Sequence, residues 1–160
     1  MKKVLSLTEA ITKTKQLQKA GKVIVLAGGC FDILHLGHIS FLQEAKKHGK
    51  ILMVMVEHDE QIKKWKGPNR PINTQETRAK ILAQLPIVDY VILLPPLLNN
   101  EQYDELVIQI KPAIIATTAG DPYRHHKERQ AKKIGATVVD VLTPVKNQST
   151  TRFVSMLKNI

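Results

Sequence analysis

Val23-Ile24-Val25-Leu26-Ala27-Gly28-Gly29-Cys30-Phe31-Asp32-Ile33-Leu34-His35-Leu36-Gly37-His38 carries an unbroken apolar run into a loop, and the loop runs into the helical pattern of Ile39 to His48. A continuous Val/Ile/Leu run without polar alternation is what a parallel strand covered on both faces requires. Gly28 and Gly29 close it with residues small enough for a ligand to approach the main chain. The segment predicts a strand, a ligand-facing loop and a helix start, and the unpaired amides of a helix start attract phosphate. No Gly-Lys-Ser/Thr follows, and the glycines do not fit G-x-G-x-x-G, so neither the Walker loop nor the dinucleotide fingerprint is present.

The same alternation extends outward from this segment. Lys19-Ala20-Gly21-Lys22, Lys47-His48-Gly49-Lys50 and Lys133-Ile134-Gly135-Ala136 each put a glycine after a helical pattern and before an apolar run. Glycine accepts the left-handed conformation that ends helices, and lysines suit the negative end of the helix dipole. Strands are expected at 23–27, 51–56, 90–94, 113–116 and 137–142, and helices near 7–20, 38–48, 74–85, 101–110, 123–134 and 150–158. Ser6-Leu7-Thr8-Glu9 and Asn73-Thr74-Gln75-Glu76 have capping-box spacing. Gly67 to Pro71 and Pro95-Pro96 read as irregular loops. The expectation is an α/β fold: a single Rossmann-like domain over 1–160, with a leading helix at 1–21 and a core at 22–160. Its five-stranded, mostly parallel sheet carries helices on both faces and binds ligands at the carboxyl ends of the strands.

Lys and Arg number 24 against 14 Asp and Glu, a formal charge of +10, which favours an anionic partner. Nucleic acid is disfavoured, because three Phe, three Tyr and one Trp leave few platforms for stacking bases. The single cysteine, Cys30, excludes an internal disulfide framework. No N-terminal stretch joins basic residues to a long apolar run and no window has membrane-spanning length, so a reduced, cytoplasmic location without a membrane partner is expected.

His35 and His38, three apart around Gly37, can direct donors at one phosphate. In nucleotidyl transfer the α-phosphorus gains equatorial charge as pyrophosphate leaves, so positioned donors and cations suffice without a covalent intermediate. The competing structural reading is that the pair caps the turn and the helix. A zinc site is weaker still, because no further Cys or His pair has ligand spacing, and no protein-held metal is expected. Lys63, Lys64 and Lys66 lie after the second core strand, where ammonium groups can reach a triphosphate or form a solvated basic turn. Arg70 and Arg78 fit either forked phosphate contacts or surface salt bridges. Ser149-Thr150-Thr151 opens the last helix as a phosphate site or a plain N-cap. Gly120-Asp121 follows the fourth core strand at the ligand edge, while His125 and His126 read as a solvated helix start. Cys30 reads as a small buried residue rather than a nucleophile.

Gly28-Gly29-Cys30-Phe31-Asp32-Ile33-Leu34-His35-Leu36-Gly37-His38 resembles the signature of the cytidylyltransferase-like nucleotidyltransferase superfamily. Within it the chain is similar to the adenylyltransferase domains of bacterial ADP-heptose synthesis. The supporting strings are Gly21-Lys22, Lys66-Gly67-Pro68-Asn69-Arg70-Pro71-Ile72-Asn73, Glu76-Thr77-Arg78, Val88-Asp89-Tyr90, Gly120-Asp121 and Ser149-Thr150-Thr151. The resemblance implies transfer of AMP from Mg²⁺-bound ATP to a sugar 1-phosphate such as heptose 1-phosphate, within a homodimer. It implies catalytic roles for His35, His38, Lys63, Lys66 and Arg78. Gly28, Gly29, Cys30, Phe31, Asp32, Gly37, Gly120, Asp121, Ser149, Thr150 and Thr151 are the implied nucleotide ligands. Two departures bear on the substrate. The R-T-x-G-I-S-T of CDP-glycerol enzymes is replaced by Pro144-Val145-Lys146-Asn147-Gln148-Ser149-Thr150, and the T-N-G and K-G-G-D strings of heptose-type enzymes read Ala27-Gly28-Gly29 and Thr118-Ala119-Gly120-Asp121. A CTP-dependent enzyme acting on glycerol 3-phosphate, an FAD- or coenzyme-forming adenylyltransferase and a non-catalytic nucleotide- or RNA-binding module are the other readings.

Overall fold

Alternate residues of one strand face opposite sides of a sheet, and here each side is filled by its own helices. The computed structural model describes residues 2–96, 98–142 and 149–157. In chain order its elements are β1 (Val4–Leu5), α1 (Leu7–Lys19), β2 (Ile24–Gly29), α2 (Leu36–Lys46), β3 (Ile51–Val56), α3 (Asp59–Lys66), α4 (Gln75–Gln84), β4 (Tyr90–Leu93), α5 (Asn100–Ile110), β5 (Ile114–Thr118), α6 (Arg124–Ile134), β6 (Thr137–Leu142) and α7 (Thr150–Leu157). Ile24, Leu26, Met53, Tyr90, Ile92 and Ile115 pack with Ala10 of α1, Leu106, Val107 and Ile110 of α5 and Ala131 of α6. Val25, Ala27, Leu52, Val54, Val56, Val91 and Ala116 pack with Leu42 and Ala45 of α2 and with Ala79 and Leu82 of α4. Each fully buried Val, Leu or Ile contributes about 1.5–3 kcal/mol, which is why the strands read as solid apolar runs.

The strand order is β1-β4-β3-β2-β5-β6, and every pairing is parallel. The sheet has six strands where five were expected. The extra one, β1, has only two residues, too few to carry a period, and pairs Val4 with Val91 and Leu5 with Ile92. The second omission is α3, a helix over Asp59 to Lys66 where the sequence suggests only a basic turn. From β2 the chain winds through β3 to β4, then crosses to β5 and β6, so the direction reverses at the carboxyl ends of β2 and β5. That reversal is where open α/β sheets bind ligands. No helix among the described residues is long and apolar enough to cross a membrane.

Gly21 and Gly135 take the left-handed conformation expected of helix-ending glycines, with φ of +67° and +68°. Gly49 does not. A β-carbon there would lie 2.7 Å from Val25 Cγ2 and 2.9 Å from the Val23 carbonyl oxygen, so its lack of a side chain serves close packing. Ser6 and Glu9 form the expected capping box. Thr74, not Asn73, caps α4, because the Asn73 side chain is drawn to the Asp32 carbonyl.

Candidate active site

The H-x-G-H string does not precede a helix but forms its beginning: His35 is the N-cap residue of α2, and Leu36, Gly37 and His38 are its first turn. The His35 side chain makes no capping hydrogen bond, which removes the reading in which it merely caps the helix. The two imidazoles instead stack, with centroids 3.8 Å apart and planes 26° from parallel. Nδ1 of each is buried and has no hydrogen-bond partner. Burial, then the charges of His35 and Lys66, pushes the His38 pKa down to about 4 against the opposing Ile33 carbonyl, and burial also lowers His35. The pair is therefore neutral at pH 7, with unmet donor or acceptor capacity on a helix amino terminus. An anion placed there relieves both penalties, since opposite charge favours the protonated ring.

Two distant segments converge on this pair. Thr150, 7% exposed, donates from Oγ1 to the Ile33 carbonyl at 3.2 Å, and the Phe153 ring lies 5.8 Å from His35. The amino end of α7 is thus docked on the H-x-G-H loop, and the Ser149 hydroxyl accepts from the Arg152 amide at 3.2 Å. Thr151 is exposed at the same helix start. From the other side of β2, Lys66 in the last turn of α3 is close enough for its charge to act on both His38 and Cys30. Lys63 is exposed and forms a 2.8 Å ion pair with Glu60 on its own helix. Residues 143–148, including Lys146, lie outside the described residues.

Several of the expected nucleotide ligands make contacts that support the loop. Asp32 is 2% exposed; Oδ2 accepts from Arg70 Nε at 2.6 Å, while the Ile72 and Asn73 amides donate to its carboxylate at 2.9 Å. Burial alone would raise its pKa, but the Asn73 and Ile72 amides and Arg70 hold it below the usual carboxylate range. With both oxygens engaged it fastens residues 70–73 to the H-x-G-H loop. Phe31, 4% exposed and at φ +47°, sets its ring 5.3 Å from His38 and under Gly29, where a β-carbon would lie 3.1 Å from Phe31 Cε2. A β-carbon on Gly28 would come within 3.3 Å of Met55 Cε, so both glycines are bound by packing as well as by access to ligand. The Cys30 thiol is pushed up chiefly by burial, in keeping with a structural role.

Arg78 is neither an open fork nor a surface ion. It is 1% exposed and donates to the carbonyls of Asn73 (2.9 Å), Cys30 (2.6 Å) and Glu57 (2.8 Å) and to Asp59 Oδ1 (2.6 Å). It ties together the ends of β2 and β3 and the starts of α3 and α4. Asp121 likewise accepts from Thr117 Oγ1 at 2.7 Å, from the Tyr123 amide at 2.9 Å and from Lys127 Nζ. These donors outweigh burial and lower its pKa, and Gly120, at φ +75°, makes the turn before it. His125 and His126 sit in the first turn of α6, with the His126 ring stacked against Tyr123.

A family model described as cytidylyltransferase-like matches residues 26–155. The chain belongs to that family. It is 41% identical over 146 residues to "Bifunctional protein HldE" of a Nitratiruptor species, covering 91% of this chain and 30% of the relative. It is 34% identical over 157 residues to the protein of the same name from Pseudomonas fluorescens, covering 97% and 32%. The chain therefore spans about a third of the curated relatives that it matches. A solved lipopolysaccharide core biosynthesis protein from Thermoplasma volcanium superimposes with a TM-score of 0.62 at 32% identity, over 80% of this chain and all of that one. Pantoate-beta-alanine ligase from Francisella tularensis has the same TM-score at 15% identity, covering 99% of this chain and 77% of the ligase, and shares the fold alone.

In this cytidylyltransferase-like chain, two residues at the ligand edge escaped the sequence reading. Glu57 directly follows β3, is 9% exposed and accepts from the Tyr103 hydroxyl of α5. Burial pushes its pKa up to about 7 against the Tyr103 hydrogen bond and the Arg78 charge. The sequence signal was available: a lone carboxylate ending the apolar run Ile51 to Val56, at the carboxyl end of a strand in an α/β sheet. Tyr103 carried no such signal, because its role exists only through the contact.

Proposed function

We propose that the chain transfers AMP from ATP, taken as its Mg²⁺ complex, to the phosphate of a sugar 1-phosphate, with heptose 1-phosphate the foremost acceptor. The observation that carries this reading is the stacked His35–His38 pair, with buried unpartnered Nδ1 atoms at the amino terminus of α2. The α-phosphate is bound by the imidazoles and the free amides of the first turn, and Lys66 adds a cation on the β3 side. The amino end of α7, with Ser149, Thr150 and Thr151, offers amides and hydroxyls to the β- and γ-phosphates. Gly28, Gly29 and Gly37 keep the main chain open to the phosphates, while Arg78, Asp32 and Phe31 position the loop. The divalent ion enters this scheme as part of the nucleotide substrate, where it neutralises charge on the phosphates.

An oxygen of the acceptor phosphate attacks the α-phosphorus in line. The bond from that phosphorus to the oxygen bridging to the β-phosphorus breaks, and pyrophosphate leaves with the electron pair. A phosphate monoester is already ionised near neutral pH, so the step needs no general base. His35→Asn and His38→Asn test the reading through pyrophosphate release at saturating ATP and heptose 1-phosphate. Each is expected to lower kcat by about 10²–10³-fold, the usual loss when one transition-state donor is removed. Unchanged turnover in both folded variants would contradict it.

A further inference from the structure

Arg70 leaves the terminal nitrogens of its guanidinium without a protein partner among the described residues. The side chain is 6% exposed, and Nε is spent on Asp32 Oδ2 at 2.6 Å. Nη2 is buried without a hydrogen-bond partner, and neither terminal nitrogen meets a protein acceptor among the described residues. Buried charged donors are nearly always satisfied in native proteins, so an orphan of this kind marks a missing partner. Asp32 does not fill that need, because its oxygens are shared with the Ile72 and Asn73 amides. What remains is the end-on fork, Nη1 and Nη2, fixed in plane by the Nε contact. That geometry matches two oxygens of one phosphoryl group.

The topology indicates which phosphate it is. Arg70 lies between α3 and α4, on the β3–β4 side of β2, whereas the Asp121 turn and α7 follow β5 and β6 on the other side. Asp32 precedes His35 by three residues, so the anchor of the fork is within about 11 Å of the histidine pair along even a fully extended chain. Arg70 and Lys66 both act electrostatically on the Cys30 thiol, which places them around the same loop. We propose that Arg70, aimed by Asp32, is a phosphate-binding fork, and that the phosphate it holds is the acceptor's. The second part rests on the nucleotidyl-transfer reading above; the first does not.

The test uses the full chain with Arg70→Lys, which keeps the charge and removes the fork. Inorganic phosphate is titrated calorimetrically in the presence of a non-hydrolysable ATP analogue, and KM is measured separately for heptose 1-phosphate and ATP. Phosphate affinity and acceptor KM are expected to worsen by about tenfold or more, with ATP KM within about twofold, as one lost forked contact implies. A folded variant that binds phosphate as the wild type does overturns the fork. A rise in ATP KM alone overturns the acceptor assignment and gives the fork to the nucleotide. If the wild type turns over no sugar 1-phosphate yet phosphate binding still falls in the variant, the function reading fails and the fork stands. Should Arg70→Lys not fold, the guanidinium signals of ¹⁵N-arginine-labelled wild type are followed through the same titration. The Arg70 signals are expected to shift on phosphate binding, and their constancy at saturation overturns the proposal.

Discussion

Replacing Arg78 by lysine separates a positioning residue from a phosphate ligand. The wild-type guanidinium makes four hydrogen bonds, three to main-chain carbonyls and one to Asp59, from a side chain that is 1% exposed. Lysine has one nitrogen and cannot span the carbonyls of Cys30, Glu57 and Asn73 together. Breaking a buried charged network by removing one partner costs about 3–5 kcal/mol. The Asp59 side chain is 28% exposed and regains water, which pulls the figure to the lower end, about 3 kcal/mol. For a domain of this size that corresponds to a Tm lower by roughly 6–12 °C. Urea unfolding followed by circular dichroism should show a lower midpoint with an unchanged slope, since the same surface is exposed on unfolding. Activity should fall too, through the loosened loop. A variant with wild-type stability and a selectively raised KM for ATP would refute this, and would make Arg78 a direct ligand.

Other outcomes follow from the same geometry. His38 has a pKa near 4 in the folded chain against an ordinary 6.5, so the unfolded chain binds a proton the native one refuses. Its contribution is complete above about pH 6.5 and is lost as pH falls towards 4, by at most about 3 kcal/mol, and His38→Gln should flatten that limb of a stability–pH curve. Glu57 works in the opposite sense: with a pKa raised to about 7, its contribution is complete below about pH 4.5 and is lost as pH rises through 7. Glu57→Gln should therefore gain stability relative to wild type between pH 5 and pH 8, measured by chemical denaturation. Gly49→Ala forces a β-carbon to within 2.7 Å of Val25 Cγ2 and should cost about 1–3 kcal/mol without altering KM.

The sheet's centre was legible because burial on both faces writes itself into sequence as solid Val/Ile runs, and β3 falls on Ile51 to Val56. The edge strand β6, with no fully buried residue, still falls on Thr137 to Leu142 because its run is rich in β-branched residues. Where that signal fails the reading failed: Val4–Leu5 is too short to carry a pattern, and the charged residues of α3 hide its two buried positions, Gln61 and Ile62. The H-x-G-H loop stood out in the sequence as a candidate site because glycines and paired histidines at a strand-to-helix junction have few other uses, and it does form the amino end of α2. The division of labour around it was not legible. Asp32, Arg78 and Phe31 have residue types that suit ligand contact, yet their partners are carbonyls, amides and a ring from segments up to 48 residues away in sequence. Only the fold reveals that such groups are already occupied, and only the fold reveals that Arg70 is not.

Pyrophosphate release from ATP and from CTP, each with heptose 1-phosphate, glycerol 3-phosphate or FMN as acceptor, decides whether the chain carries out nucleotidyl transfer to a sugar 1-phosphate. Rapid release with ATP and heptose 1-phosphate, lowered about 10²–10³-fold in His38→Asn, is the expected result. Release with CTP and glycerol 3-phosphate instead, or none with any pair from a folded chain that still binds nucleotide, would contradict it.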